Sequence, residues 1–539
     1  MLLIKSLTKI HIDIFHLILL VSLWFTLIYN LAFFRNAAAI FATGDDGKLF
    51  IVSLALFLFS ITVILLCFLC FRFFTKPVLA LVFVGASISN YYMNNFNVVI
   101  DTTMITNIVM TDRREIRDLW NTALISQILL LGVLPAWLVS IITIERAGLG
   151  QQIFKRARLI GVAVVLMVVS IAPFSSHYTS FFREHKILRY YANPAAFTYS
   201  GFKYMSMAMA DASNYIYETI GLDAHIPVDD LDRELIILVV GEAARADRFS
   251  LNGYVRETNP LLKKEDVISF TDVFSCGTAT AYSLPCMFSH FDRSDFDVEE
   301  ARNTDNLLDV LTHAGVHVLW RDNNSDSKGV ADSDVFEDFR SPEVNPVCDP
   351  ECRDVGMLAG LSSYIEGESD GDIVIVLHQM GNHGPAYYKR YPSSFEKFTP
   401  VCQTNQLENC TDIEIGNAYD NAILYTDYFL EEVITFLKTY DSHFQTAMYY
   451  MSDHGESLGE NGLYLHGLPY MLAPETQKHV ASIMWFGSSY KVDRQAMWAK
   501  ENEKISHDNY FHTVLGLMEI GTEVRNPLQD IMVHAPAKN

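Results

Sequence analysis

Apolar and polar residues divide the 539-residue chain into two parts with different patterns. The first part holds five long apolar stretches, each close to the ~20 residues that a helix needs to cross a bilayer. The third stretch is the most polar, because asparagines occupy its second half. The pattern predicts a transmembrane domain of five helices over residues 1–174, with spans at residues 12–34, 49–71, 77–97, 122–144 and 157–174.

Short β-rich runs alternate with helical stretches in the last part of the chain. Each run is mostly apolar and is followed by a polar loop, which is typical of an α/β sheet covered on both faces by helices. A helical pattern covers residues 420–438. We therefore predict a soluble α/β domain over residues 231–539, with strands at residues 235–240, 316–320, 373–377 and 447–451.

Residues 175–230 connect the two parts and are rich in aromatic side chains. Phenylalanines and tyrosines stand there beside Arg183, Lys186 and Arg189, a composition typical of segments that lie at a membrane interface. The alternative is an ordinary linker helix that packs on the soluble domain.

Charge and cysteine spacing place the second part outside the cytoplasm. Lysines and arginines near the span ends favour a cytoplasmic N-terminus, so that an odd number of spans leaves the soluble domain outside. The net charge of -23 resides mainly in that domain and argues against a nucleic-acid partner. Three close cysteine pairs predict disulfides in an oxidising compartment rather than a zinc finger: Cys276/Cys286, Cys348/Cys352 and Cys402/Cys410.

Polar strings follow the predicted strands, at the sheet edge where α/β proteins bind ligands. Glu242 follows the first run, residues 321–325 and 378–384 follow two others, and Asp453 and His454 follow the last. The two carboxylates and the imidazole supply three ligands and leave a fourth position open, as catalytic zinc sites require. The sequence therefore predicts a zinc site at these strand ends.

A loop between two cysteines, residues 276–286, offers the hydroxyl groups for a nucleophile. A threonine hydroxyl at the open zinc position would lose its proton near neutral pH, because the charge of the metal stabilises the alkoxide. We favour Thr280 as the nucleophile, and spacing alone leaves Thr278 and Ser283 open.

Five ordered strings, at residues 241–247, 275–289, 320–328, 378–385 and 452–460, resemble the phosphoethanolamine–lipid A transferases, the family of the EptA and mobile colistin resistance (MCR) enzymes. The resemblance implies an alkaline-phosphatase-like α/β/α domain behind a five-helix membrane anchor. It also implies Thr280 as nucleophile, with Glu242, Thr280, Asp453 and His454 as ligands of one tight zinc.

The same resemblance implies an activity and a location. The chain would transfer phosphoethanolamine from phosphatidylethanolamine to a phosphate of lipid A through a phosphothreonine, lowering the negative surface charge and the binding of polymyxin and colistin. It would be a multi-pass, monomeric protein of the Gram-negative inner membrane with its catalytic domain in the periplasm. His383 or His466 would hold a second, weaker zinc or donate a proton. Residues expected near the substrates are Lys328, His383, His466, Asn324, Ser325 and Tyr282, with Asn107 and Glu115 as lipid-headgroup contacts.

Three other functions are compatible with parts of this pattern. A sulfatase shares the fold, but neither Cys276 nor Cys286 is followed by the Pro/Ala-x-Arg pattern of the sulfatase nucleophile. A phosphoglycerol transferase of the lipoteichoic acid synthase type is the closest alternative. A membrane sensor that binds phosphate without turnover would not need the intact nucleophile string.

Overall fold

A computed structural model of the chain describes residues 11–42, 44–71, 74–111, 113–145, 148–211, 216–228, 230–349 and 351–535, without the side chains of residues 113–115, 210 and 211. It separates into two compact units. The first comprises residues 1–105 and 120–208, and the second comprises residues 106–119 and 209–539.

The first unit is built almost entirely of helices, since apolar segments in a bilayer must satisfy their backbone hydrogen bonds within themselves. A short parallel pair, His11–Asp13 and Thr143–Glu145, is its β-structure among the described residues. Its α-helices are Ile14–Ile28, Leu31–Phe41, Gly44–Leu69, Thr75–Asn95, Thr122–Gln127, Leu134–Ile141, Leu149–Ile171, Ser175–Arg183 and Ala195–Asp211, with a π-helical segment at Ile128–Val133.

Three helices in the described part of the chain are long and apolar enough to cross a membrane: Gly44–Leu69, Thr122–Ile141 and Leu149–Arg183. The pair Ile14–Ile28 and Leu31–Phe41, bent by 57°, makes a fourth if it acts as one span. Thr75–Asn95 covers most of the third predicted span but does not reach that hydropathy, in keeping with the asparagines near its end. The membrane-spanning character is confirmed, and the count of five is not.

The second unit contains a seven-stranded sheet among its described residues. In chain order the strands are β1 (Glu234–Gly241), β2 (Val267–Phe270), β3 (His317–Asp322), β4 (Val335–Asp338), β5 (Ile373–His378), β6 (Gln445–Ser452) and β7 (Ser482–Phe486). Their spatial order is β2-β7-β6-β1-β5-β3-β4, and only the β7 pairings are antiparallel. All eight residues of β1 are buried, as expected of a central strand covered on both faces.

The register of the central strands brings their carboxyl ends level. Val240 of β1 lies beside both His378 of β5 and Met451 of β6, and Asp322 of β3 lies beside His378. The loops that leave β1, β3, β5 and β6 therefore start at one edge of the sheet. This edge is where α/β sheets bind their ligands.

Helices and disulfides complete the second unit. Its α-helices include Thr280–Met287, Val298–Arg302, Leu307–His313, Leu361–Gly367, Asp412–Lys438, Arg494–Ala499 and Tyr510–Leu517. The helix predicted at residues 420–438 begins earlier, because Thr411 and Glu414 form a capping box at its start. All three predicted disulfides are confirmed: Cys276–Cys286, Cys348–Cys352 and Cys402–Cys410.

Candidate active site and metal centre

Three side chains from the ends of β1 and β6 form the centre of the site. Glu242 follows β1, and Asp453 and His454 follow β6, and all three are completely buried. His454 Nε2 lies 3.3 Å from Glu242 Oε1 and 3.4 Å from Asp453 Oδ2. Two acidic loops meet here because β1 and β6 are parallel neighbours in register.

The donor set fits a metal ion. One atom each of Glu242, Asp453 and His454 lies within 4.8 Å of the others. Glu242 Oε1 and Asp453 Oδ2 are buried and have no hydrogen-bond partner among the described residues, although buried carboxylate oxygens are normally paired. Burial disfavours the charged imidazole, but the two carboxylates outweigh it and raise the pKa of His454. Two oxygens and one nitrogen suit zinc.

The Thr280 hydroxyl faces this cluster. Its Oγ1 donates to Glu242 Oε2 at 3.1 Å and lies 3.3 Å from His454 Nε2. The two competitors are engaged elsewhere, because Thr278 Oγ1 donates to the Leu468 carbonyl and Ser283 Oγ accepts from the Gly277 N–H. Geometry thus distinguishes three hydroxyls that sequence spacing could not.

The loop that carries Thr280 is tightly packed. Thr280 is the first residue of the helix Thr280–Met287. The disulfide joins Cys276, before Thr280, to Cys286, after it. A Cβ on Gly277 would lie 2.8 Å from both Ser283 Oγ and the Tyr282 ring, so glycine is required by space. The Cys276 N–H also donates to His507 Nδ1.

A second cluster adjoins the first. His454, Glu456 and His466 each offer a ligand atom, and these atoms also lie within 4.8 Å of one another. His466 Nδ1 donates to Glu456 Oε2 at 2.8 Å, and the His466 ring lies 4.2 Å from the His454 ring and 5.9 Å from the His383 ring. Burial lowers the pKa of His466 to about 3 and that of His383 to about 4, which keeps both imidazoles neutral at pH 7.

The other predicted substrate residues differ in their contacts. Asn324 lies at the centre of the site, since its Nδ2 donates to Glu242 Oε2 at 2.9 Å. Lys328 Nζ donates to the backbone carbonyl of Ser325 at 2.6 Å. Tyr282 stacks edge-on against Phe296.

Two residues were expected to contact a lipid headgroup. The backbone carbonyl of Asn107, in the helix Thr102–Met110, accepts a hydrogen bond from the hydroxyl of Thr111, which directly follows that helix. The side chain of Glu115 lies outside the described residues.

The comparisons with known proteins agree on one family. A family model described as phosphoethanolamine transferase EptA/EptB matches residues 58–209, and one described as sulfatase matches residues 234–520. The chain is 42% identical over 521 residues to phosphatidylethanolamine transferase Mcr-2 of Escherichia coli, covering 94% of this chain and 96% of that protein. The chain belongs to the EptA and Mcr family of phosphoethanolamine transferases.

Other members of the EptA and Mcr family match over a similar length. Phosphoethanolamine transferase EptA of Escherichia coli strain K12 is 36% identical over 527 residues, covering 96% of each chain. The integral membrane lipooligosaccharide phosphoethanolamine transferase A (EptA) from Neisseria meningitidis has a TM-score of 0.92 at 34% identity, covering 97% of this chain and 99% of that chain. This likeness confirms an EptA-like membrane domain followed by an alkaline-phosphatase-like domain.

The site of this EptA and Mcr family member contains polar groups that the sequence reasoning did not select. Asp322 and His378 form a fully buried pair, with His378 Nδ1 2.8 Å from Asp322 Oδ2. Glu456 accepts from Tyr387 Oη at 2.7 Å as well as from His466, and burial raises the pKa of Glu456 to about 7. Asp322 and His378 are the last residues of β3 and β5, and Glu456 lies in the loop after β6, so a position at or just after the end of a strand was the signal that could have found them.

Proposed function

We propose that the chain transfers phosphoethanolamine from phosphatidylethanolamine to a phosphate group of lipid A, with Thr280 as the covalent carrier. Relatives named as phosphatidylethanolamine and phosphoethanolamine transferases support the transferred group. One observation supports Thr280 as the carrier. Its hydroxyl lies within hydrogen-bond distance of Glu242 and His454, whereas the hydroxyls of Thr278 and Ser283 form hydrogen bonds with other groups.

We infer that Glu242, Asp453, His454 and the Thr280 hydroxyl hold one zinc ion. The unpartnered carboxylate oxygens and the nearby imidazole nitrogen support this assignment. When bound, the zinc would lower the pKa of the hydroxyl and offset negative charge on phosphoryl oxygens. We assign a second, weaker zinc site to the neutral imidazoles of His466 and His383 together with the Glu456 carboxylate.

The first half of the reaction moves the headgroup onto the protein. Thr280 Oγ1 attacks the phosphorus of phosphatidylethanolamine, the bond from phosphorus to the glycerol oxygen breaks, and diacylglycerol leaves with a proton. Glu242 Oε2 accepts the hydrogen bond of the attacking hydroxyl and so orients it. Thr280 then carries a phosphoethanolamine ester.

The second half transfers the group to lipid A. An oxygen of a lipid A phosphate attacks the phosphothreonine, the bond from phosphorus to Oγ1 breaks, and Thr280 regains its proton. His466 is held by Glu456 through Nδ1, which leaves its other nitrogen to exchange a proton with the substrate. We assign contacts with the two substrates to Asn324, Ser325, Lys328, His383, Tyr282, Asn107 and Glu115.

We place the protein in the inner membrane of a Gram-negative bacterium, with the catalytic domain in the periplasm. The three disulfides support an oxidising compartment. We retain the five-span anchor over residues 1–174, the interfacial segment 175–230, the catalytic domain 231–539 and the monomeric state as parts of this proposal. Added phosphoethanolamine reduces the negative charge of lipid A, and with it the attraction of cationic polymyxins and colistin.

The test compares three alanine variants of the full chain in a lipid A transfer assay. Thr280→Ala should abolish both lipid A modification and the mass increment of one phosphoethanolamine on the tryptic peptide containing residue 280. Thr278→Ala and Ser283→Ala should keep both signals. Lipid A modification that persists in Thr280→Ala would refute the assignment, and a phosphoglycerol increment on the acceptor would favour the lipoteichoic acid synthase type instead.

A further inference from the structure

Residues 106–119 follow the third predicted span in sequence but fold as part of the second unit. The helices Thr102–Met110 and Arg113–Leu119 cover this segment, which we call the interspan segment. It contacts the loops that leave two strands of the sheet. The carbonyl of Met110 accepts a hydrogen bond from Lys328 Nζ at 3.2 Å, after β3, and Asp118 contacts residues beyond β5.

Asp118 makes more contacts with the second unit's loops than Met110 does. Its carboxylate is almost completely buried and pairs with Lys389 and, at 2.7 Å, with Arg390 Nη2. Its backbone carbonyl accepts from Asn405 Nδ2 at 2.6 Å. Burial would favour the neutral acid, but the two cations outweigh it and lower the pKa of Asp118, so the carboxylate is ionised at neutral pH.

Arg390 connects Asp118 to the site. The Arg390 side chain is 2% exposed, and its guanidinium donates from all three nitrogens: Nη2 to Asp118, Nη1 to Glu351 at 2.5 Å and Nε to the backbone carbonyl of His383 at 2.6 Å. A rigid planar fork held at two carboxylates fixes the direction of its third donor. The position of the His383 carbonyl therefore depends on both carboxylates.

The rest of the loop after β5 has its own anchors. The N–H groups of Met380 and Gly381 donate to Asp354, and the N–H of Asn382 donates to the Glu242 carbonyl. Loss of Asp118 would thus leave these residues in place. The displacement should be concentrated at His383, whose ring faces His466.

We propose that Asp118 is a positioning residue, which places the His383 imidazole in the active site by fixing the guanidinium of Arg390. The proposal rests on the proposed function of His383 at the site. Removing the Asp118 charge leaves Glu351 as the remaining carboxylate partner of the buried Arg390 in this network, so that Arg390 turns toward Glu351 and releases His383. Through this contact the interspan segment sets the geometry of a catalytic loop.

A double-mutant cycle in the full-length protein tests the proposal. Asp118→Asn should lower kcat for phosphoethanolamine transfer about tenfold, since a displacement of about 1 Å at a reacting group can cost up to ~100-fold. In a His383→Ala background the same change should cost less than twofold, because the group on which Asp118 acts is gone. Asp118→Glu, which keeps the charge, should recover most of the rate.

Asp420→Asn is the matched control. Asp420 is a completely buried carboxylate that pairs with two arginines, Arg248 and Arg256, and not with Arg390. Whatever loss this control causes should be the same in both backgrounds. Bound metal, measured on each purified variant, should be unchanged by Asp118→Asn.

The proposal would be overturned if Asp118→Asn lowered kcat by the same factor in the parent and in the His383→Ala background. It would also be overturned if Asp118→Asn left kcat of the parent unchanged or caused a loss of bound metal. If His383→Ala is too slow to measure, Arg390→Lys replaces it: Asp118→Asn should add less than twofold to that variant, and a full additional loss would refute the coupling. A parent protein with no transfer activity would refute the proposed function itself, so the two failures are distinguishable.

Discussion

The disulfide Cys276–Cys286 should matter for activity beyond its effect on stability. It closes a loop with a sequence separation of 10, and Thr280 lies inside that loop. The disulfide Cys402–Cys410 closes a loop of similar size, with a sequence separation of 8 and no residue of the candidate metal site. Comparing variants that lack one or the other disulfide therefore separates the effect on stability from the effect on the position of the nucleophile.

The expected loss of stability is nearly the same for both disulfides. The loop-entropy relation gives about 2.5–3 kcal/mol for closing loops of these lengths. For a large domain this corresponds to a decrease in Tm of roughly 5 °C. We expect this decrease for Cys276→Ala/Cys286→Ala and for Cys402→Ala/Cys410→Ala, measured by thermal unfolding of the full-length protein in detergent without reductant.

The two variants should differ in activity well below Tm. At 20 °C, Cys276→Ala/Cys286→Ala should lose at least tenfold in transfer rate, since Thr280 must stay within hydrogen-bond distance of Glu242. The control Cys402→Ala/Cys410→Ala should lose no more than about threefold in transfer rate. A loss of this size is allowed because Asn405, inside that loop, donates a hydrogen bond to the interspan segment. Equal activity losses in the two variants would refute the positioning role of the first disulfide.

Three further predictions address the metal, the sheet and the membrane domain. Asp453→Ala should lose the tightly bound zinc, whereas His466→Ala should keep it and lose turnover; equal metal loss by elemental analysis would contradict the ligand assignment. Burial and the neighbouring Asp372 raise the pKa of Glu234 well above its ordinary value. Because the folded protein then binds this proton more tightly than the unfolded chain, the free energy of unfolding should fall as pH rises from 5 to 8, and Glu234→Gln should flatten the pH dependence of Tm. A fragment of residues 220–539 should bind zinc and slowly cleave a soluble phosphoethanolamine ester but leave lipid A unmodified in cells, and full lipid A modification by the fragment would show that the membrane domain is dispensable.

The central strands could be predicted from the sequence because their burial leaves long apolar runs. The runs at residues 235–240 and 373–377 correspond to β1 and β5 with small changes at the ends. Three of the seven strands, β2, β4 and β7, were not predicted. β2 and β4 are the two edge strands, and most residues of the short β4 are exposed, whereas β7 lies inside the sheet and is fully buried. Edge strands carry few of the packing constraints from which a sequence pattern arises.

The close approach of Glu242, Asp453 and His454 was predictable for a similar reason. Glu242 and Asp453 follow buried strands directly, so parallel pairing alone brings them to one edge of the sheet. The choice among the loop hydroxyls was not predictable, because it depends on side-chain directions within one short helix. Asp118 left no local signal at all, since Lys389 and Arg390 lie 271 and 272 residues further along the chain.

The strand order has a consequence for the time at which the site can form. β1 is the first strand of the sheet in chain order, yet its neighbour β6, which Asp453 and His454 follow, is the sixth of the seven strands. If the domain crosses the membrane from its N-terminal side, Glu242 arrives long before the other two. The cluster can therefore close only after both β1 and β6 have been exported, and a metal ion held by these residues would be acquired from the compartment that receives the domain rather than from the one in which it is synthesised.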